Sequence, residues 1–178
     1  MANNVNYAQL DAFRNHVKQS LTDNQVELFI ESCVKELAAR LLAKVIKRTP
    51  TGDYSKEITV VAKRDGKKHK KGESYTKRIN PSGKKGGTLK RGWTGGKKQD
   101  AESYVDSLHV NHYGGVYVIE IKNPVEYASY VEFGHRKRNH SDWVEGKFML
   151  TISEQEIQAD SSKILESKLK KKLGECFK

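Results

Sequence analysis

Phosphate binding and metal binding are the first chemistries that the residue types of this sequence could suggest. The run from Gly83 to Thr88 (GKKGGT) is rich in glycine and lysine, as phosphate-binding loops are, but the spacing of its glycine, lysine and threonine differs from theirs and no strong strand precedes it. His109 and His112 are three residues apart on a predicted strand, so their side chains point to opposite faces. Neither pattern predicts a site.

The other histidines and the carboxylates also lack a catalytic arrangement. His135 and His140 flank a basic loop in which Asp142 is the nearby carboxylate, whereas a zinc site needs four converging ligands. Glu132 lies close to His135 and Arg136 in the sequence, which predicts a structural ion pair. No candidate nucleophile has a general base at a recognisable spacing. The sequence therefore predicts a protein that is not an enzyme and needs neither a metal nor a cofactor.

A strongly basic segment is the feature with the clearest physical meaning. Residues 62–99 contain fourteen Lys and Arg residues but only two acidic ones, a net charge of +12 in a chain whose formal net charge is +11. Clustered lysines attract nucleic-acid phosphates through counterion release, and so much like charge repels itself unless a partner screens it. We therefore expect contact with DNA or an acidic protein surface, the alternative being a solvated loop. The candidate contact residues are Lys67, Lys68, Lys70, Lys71, Lys77, Arg78, Lys84 and Lys85.

Helices at both ends of the chain must position this segment. One apolar stripe runs from Val26 to Val45 at helical spacing and predicts a helix over residues 24–47, which Pro50 stops. A shorter helix is predicted over residues 7–20. From Lys147 onward, apolar residues at helical spacing predict a C-terminal helix with a break near residues 160–162.

Short strands and turns are predicted between these helices. Residues 57–61 (EITVV) are rich in β-formers. The polar segment after them predicts a long loop or splayed hairpin that is ordered only against a partner, because it cannot bury enough surface to offset its ordering entropy. Residues 104–110 and 116–121 flank a pair of glycines, which predicts a β-hairpin. A short helix is predicted after Asn123-Pro124, with Gly134 as its stop.

Together these elements predict an α+β fold, in which a long N-terminal helix packs on a small antiparallel sheet and a C-terminal helix follows. At 178 residues the chain is expected to form a single domain, 1–178, with residues 55–86 as a basic insertion or arm within it. No apolar run approaches the about 20 residues of a membrane span, and the start of the chain lacks the pattern of a signal peptide. We expect a protein made in a cytosol and no membrane partner.

Two motifs in the second half of the chain resemble a known family signature. Residues 125–136 read VEYASYVEFGHR, and residues 143–150 read WVEGKFML. They are similar to the "Y-A-x-Y-V-E-x-G" run, the tryptophan and the "G-x-x-M-L" helix start of the tail-completion, or head–tail joining, proteins of lambdoid phages. A further motif, continuous in that family, resembles residues 49–53 joined to residues 87–93. The basic residues between these halves are interpreted as an insertion.

The resemblance implies a structural virion protein that assembles as a homo-oligomeric ring, completes the tail and joins it to the head connector at the neck. Its implied partners are a portal-side adaptor, tail terminator or tail-tube proteins, and genomic DNA in the lumen; its implied locations are the virion and the host cytoplasm during assembly. The alternative is a nucleic-acid-binding module outside any virion that uses residues 62–99.

The resemblance also implies structural or interface roles for the motif residues. These residues are Trp93, Tyr127, Tyr130, Glu132, Gly134, Arg136, Trp143 and Gly146. On spacing alone, the aromatic side chains of Tyr127, Tyr130, Phe133 and Trp143 are expected in the core, because aromatics at helical spacing usually pack there.

Overall fold

Two long helices at the ends of the described chain frame the fold. The computed structural model describes residue 15 and residues 23–176, so the helix predicted over residues 7–20 lies outside it apart from Asn15. In chain order the elements are α1 (Asp23–Arg48), β1 (Lys56–Val61), β2 (Ser74–Ile79), α2 (Thr88–Gly92), α3 (Ala101–Asp106), β3 (Asn111–Tyr113), β4 (Val116–Val118), α4 (Ala128–Phe133), β5 (Gly134–Arg136), β6 (Trp143–Glu145) and α5 (Met149–Cys176).

The core lies where α1 meets α5 and the short helices. Side chains from the apolar stripe of α1 pack with residues of α2, α3 and the start of α5. The buried cluster comprises Ala38, Leu42, Val45, Leu89, Trp93, Val105 and Met149. The prediction of a helix over residues 24–47 is therefore confirmed within one residue at each end, and its apolar stripe packs within the chain.

The described strands form three separate two-stranded antiparallel sheets: β1 with β2, β3 with β4, and β5 with β6. The predicted α+β class is confirmed. The hairpin around Gly114-Gly115 is also confirmed, over residues 111–118, but the strand predicted over residues 104–110 is wrong. Residues 101–106 are helical because Asp100 caps α3 by accepting a hydrogen bond from the Ser103 amide at 2.9 Å, and Val105 is then buried.

The break predicted near residues 160–162 is also wrong, since α5 is continuous from Met149 to Cys176. Serine favours helix ends because its hydroxyl competes for backbone groups. Here Ser161 donates its hydroxyl hydrogen bond to the Gln158 carbonyl oxygen at 2.8 Å, one turn earlier in the same helix. The hydroxyl is thus satisfied without interrupting α5.

Ion pairs between α1 and α5 make part of the stability depend on pH. The Glu156 carboxylate lies 2.8 Å from Lys44 Nζ and also binds Arg48, and hydrogen bonds from these two side chains lower the pKa of Glu156 below its ordinary value of 4.5. Since the unfolded chain takes up this proton more readily, the stabilisation is complete above pH 4.5 and is lost as the pH falls through the lower folded pKa.

We expect Glu156→Gln to weaken the acid sensitivity of folding. As the pH falls from 4.5 to about 3, the free energy of unfolding of the unmodified protein should fall more steeply than that of the variant, as measured by urea denaturation at each pH. Glu120→Gln is the matched control, because Glu120 pairs with Lys122 on an exposed stretch away from the helix interface. Equal pH slopes for Glu156→Gln and the unmodified protein would contradict this role.

Candidate interaction surfaces

The two partial motifs that flank the basic segment are in direct contact. Trp93 Nε1 donates a buried hydrogen bond of 2.8 Å to Thr49 Oγ1, which in turn donates to the Val45 carbonyl oxygen at 2.7 Å. Gly86 packs so closely on Gly52 that a Cβ at residue 86 would overlap the Gly52 carbonyl oxygen. Residues 49–52 and 86–93 therefore form one junction, and the chain between them leaves and returns at the same place.

The chain between these motif halves forms a hairpin, which we call the basic hairpin (residues 56–79). Its strands β1 and β2 pair over six residues, from Lys56 opposite Ile79 to Val61 opposite Ser74, about 17 Å along the strands. The packing of these strands is mainly with each other, and among their side chains only Val60, Tyr75 and Ile79 are half-buried. Of the two predicted alternatives, a long loop and a splayed hairpin, the structure shows the hairpin, which projects as a two-stranded ribbon.

The predicted contact residues divide between two places. The four lysines at 67, 68, 70 and 71 lie together in the loop of residues 62–73 at the tip of the basic hairpin, and all four are exposed. Lys77 and Arg78 lie on β2, where Arg78 binds Asp53 at 2.7 Å. The exposed Lys84 and Lys85 follow β2 in the turn that leads back to the junction, so they are separated from the tip by the length of the ribbon.

Four exposed aromatic side chains lie on the segment formed by α4, β5, β6 and the residue before α5. We call Tyr130, Phe133, Trp143 and Phe148 the aromatic surface; the first three are 59%, 61% and 59% exposed. Tyr127, at the N-terminal end of α4, is exposed as well. The expectation that the aromatics of this segment pack in the core is therefore wrong.

The aromatic side chains of α4 are exposed because the helix buries its other face. Val125, Ala128 and Val131 form one row at intervals of three residues, and Tyr127, Tyr130 and Phe133 form another. The smaller side chains pack against the core, which leaves the aromatic row outside. Tyr130 contacts the ring of His135, with ring centroids 5.7 Å apart.

Glu132 anchors this segment to the C-terminal helix. The ion pair predicted with His135 and Arg136 is wrong, because the buried Glu132 carboxylate accepts hydrogen bonds from the Leu150 and Thr151 amides, both at 2.9 Å. It also accepts one from Thr151 Oγ1 at 2.8 Å. These amides are at the N-terminus of α5, where they lack partners within the helix and where negative charge is stabilised.

The sequence contains a signal for this cap that the prediction missed. Phe148 immediately precedes α5 and offers no side-chain acceptor, so the first amides of the helix need one from elsewhere. Phe148 also has a positive φ of 46°, which is unusual for a residue other than glycine. Its amide donates a 3.0 Å hydrogen bond to the Glu132 carbonyl oxygen. Glu132 therefore binds the residue before α5 through its backbone and the first amides of α5 through its side chain.

Gly134 and Gly146 allow the backbone segments behind the aromatic surface to approach closely. A Cβ at Gly134 would lie 2.7 Å from Trp143 Nε1 and 2.8 Å from the Gly146 amide, and its φ of 85° also favours glycine. A Cβ at Gly146 would overlap the Glu132 carbonyl oxygen. The prediction that Gly134 ends the preceding helix is confirmed. Arg136 is exposed and pairs with Trp143 in the β5–β6 ladder.

The part of the chain that the structure describes has neither a metal-binding cluster nor a helix that could span a membrane. Residues 23–176 contain no group of three or more His, Cys, Asp or Glu side chains placed to hold a metal ion. Among the helices of that range, none combines the length and apolar character needed to cross a membrane.

Comparison with known proteins gives one family. The family model HK97-gp10-like, which describes a tail component of the bacteriophage HK97-gp10 type, matches residues 11–86 and 76–134, more than half of the chain. The two matched stretches overlap over residues 76–86, in β2 and the turn after it, and together they contain both motif halves and the segment up to Gly134. No curated protein and no solved structure matches significantly.

Proposed function

Because the chain belongs to the HK97-gp10-like family of phage tail components, we propose that it completes the end of the tail that faces the head and joins it to the head connector at the neck. The protein acts there as a ring of identical subunits in the virion, after assembly in the host cytoplasm. Its partners are a portal-side adaptor on one side and tail terminator or tail-tube proteins on the other. The role is non-covalent and non-catalytic.

The observation that carries this proposal is the aromatic surface. Soluble proteins rarely expose neighbouring aromatic side chains in one short segment, and protein–protein interfaces are enriched in them. The backbone behind these side chains is fixed by the Glu132 hydrogen bonds to α5 and by the close approach at Gly134. A fixed apolar surface suits a ring, whose closed heterologous contacts place one surface of each subunit against a different surface of the next.

The family membership also weighs against a nucleic-acid-binding module outside the virion. The matched residues include both the basic hairpin and the first helix, so the hairpin belongs to a tail-component chain. The direct contact of Thr49 with Trp93 brings the two motif halves together, as expected if they form one motif in the folded chain.

The test is complementation of a particle-producing strain in which the gene is deleted. We expect the double variant Phe133→Ser/Trp143→Ser to yield filled heads and tails that remain apart, because each anchor aromatic contributes about 2 kcal/mol or more to such an interface. Infectious titre and electron microscopy of the lysate measure the effect. Both side chains are exposed, so the variant should remain folded.

The matched control is Tyr113→Ser/Val116→Ser, which removes two equally exposed apolar side chains from the turn of the β3–β4 hairpin. It should preserve the titre. Normal joining by the aromatic-surface variant would contradict the proposed interface.

A further inference from the structure

We propose that the tip of the basic hairpin binds the phosphate backbone of duplex DNA, without sequence preference. The DNA contact follows from the hairpin alone; only its location, on DNA that passes through the lumen of the neck, rests on the proposed function. The loop at the tip, residues 62–73, contains six Lys and Arg residues and two acidic ones.

The two acidic side chains of the tip do not neutralise its lysines. Asp65 Oδ1 accepts a 2.8 Å hydrogen bond from the Lys71 amide, and Glu73 accepts one of 2.8 Å from the Lys70 amide. The pKa of Glu73 is lowered most by the hydrogen bond from the Lys70 amide and next by the hydrogen bond from His69. The Glu73 carboxylate therefore stays ionised while it binds the backbone of the loop. The carboxylates shape the loop through its backbone, and within residues 23–176 no tip Lys or Arg forms an ion pair.

The tip is folded in the chain alone, so the expectation that this segment is ordered only against a partner is wrong. The Ala62 amide donates to the Glu73 carbonyl oxygen, and the Gly72 amide donates to that of Ala62, both at 2.9 Å. The ring of His69 stacks on Tyr75, with centroids 4.2 Å apart and an interplanar angle of 6°. A loop fixed in this way loses less conformational entropy on binding than a flexible one.

The composition of the tip favours DNA over an acidic protein as the occupant. Residues 62–73 contain no large apolar side chain, whereas protein interfaces depend on buried aromatic or aliphatic anchors. Phosphate binding needs only clustered positive charge, and a two-stranded ribbon is narrow enough to enter the major groove. Five of the six basic residues are lysines, which act as point charges and seldom give the bidentate readout of bases, so binding should not discriminate between sequences.

The experiment measures binding of the purified full chain to a labelled, mixed-sequence DNA duplex by fluorescence anisotropy over a series of salt concentrations. For six phosphate contacts the logarithm of the association constant should fall with the logarithm of the salt concentration with a slope of about −5. In the variant Lys67→Gln/Lys68→Gln/Lys70→Gln/Lys71→Gln the slope should shrink to about −2. The affinity at low salt should fall by about 100-fold or more.

The matched control removes the same charge elsewhere, as Lys47→Gln/Lys163→Gln/Lys170→Gln/Lys171→Gln, at exposed positions of α1 and α5. It should keep most of the affinity and of the slope. An equal loss in both variants would overturn the proposal, because binding would then follow net charge alone. Absence of duplex binding by the unmodified protein at low salt would also overturn it and leave an acidic protein as the occupant. Joining is read from the aromatic-surface variants, so these results and the proposed function can fail separately.

Discussion

Trp93→Ala is expected to lower the free energy of unfolding by about 3–5 kcal/mol. Trp93 is 4% exposed and packs in the core with Leu42, Val45 and Leu89. Its truncation leaves a large cavity and also removes the donor that binds Thr49 Oγ1 at the junction of the two motif halves. Urea denaturation of the full chain measures the loss.

The natural control is the other tryptophan. Trp143 is 59% exposed, so Trp143→Ala should change the free energy of unfolding by less than about 1 kcal/mol. Trp93→Phe separates the two effects, since it keeps most of the packing and removes only the hydrogen bond, at a cost of about 1–2 kcal/mol. Similar losses for the two alanine variants would mean that Trp93 does not lie in the hydrophobic core.

Glu132→Ala is expected to cost about 2–4 kcal/mol, the second-largest effect. It removes the acceptor for the Leu150 amide, the Thr151 amide and the Thr151 hydroxyl at the buried start of α5. Hydrogen exchange at the first amides of α5 should accelerate, and urea denaturation should show the loss of stability. Because the same residue supports the aromatic surface, joining should also weaken.

Two variants distinguish the cap from a simple loss of charge. Glu126→Ala removes an exposed carboxylate from the same segment and should leave both stability and exchange nearly unchanged. Glu132→Gln keeps one carbonyl oxygen as acceptor and should lie between the unmodified protein and Glu132→Ala. Unchanged exchange at Leu150 and Thr151 in Glu132→Ala would show that the carboxylate does not cap α5.

Much of the fold could be predicted because its signals are local. The stripe of α1 and the Pro50 stop determine the first helix, and a pair of glycines determines the β3–β4 turn. The same holds for Gly134, whose conformation ends α4. The wrong strand over residues 104–110 arose from a missed local signal, the Asp100 cap, which places the start of helix α3 at Ala101.

The candidate surfaces could be predicted only in part, because they depend on which face of a short element meets the core. In α4, the row of Val125, Ala128 and Val131 and the row of aromatics have the same spacing, and only tertiary packing selects the smaller row for burial. The role of Glu132 depends on a helix that starts seventeen residues later in the sequence. The charge of the basic hairpin is evident from composition. Its folded tip, however, depends on hydrogen bonds that the Asp65 and Glu73 carboxylates accept from the Lys71 and Lys70 amides.

Electron microscopy of lysates from a particle-producing strain that lacks this gene is the decisive test of a role at the neck. The proposed role at the neck predicts filled heads and separate tails of normal length, and complementation with the unmodified gene should restore joined particles. Joined, infectious particles in the absence of the gene would show that the protein does not join head and tail.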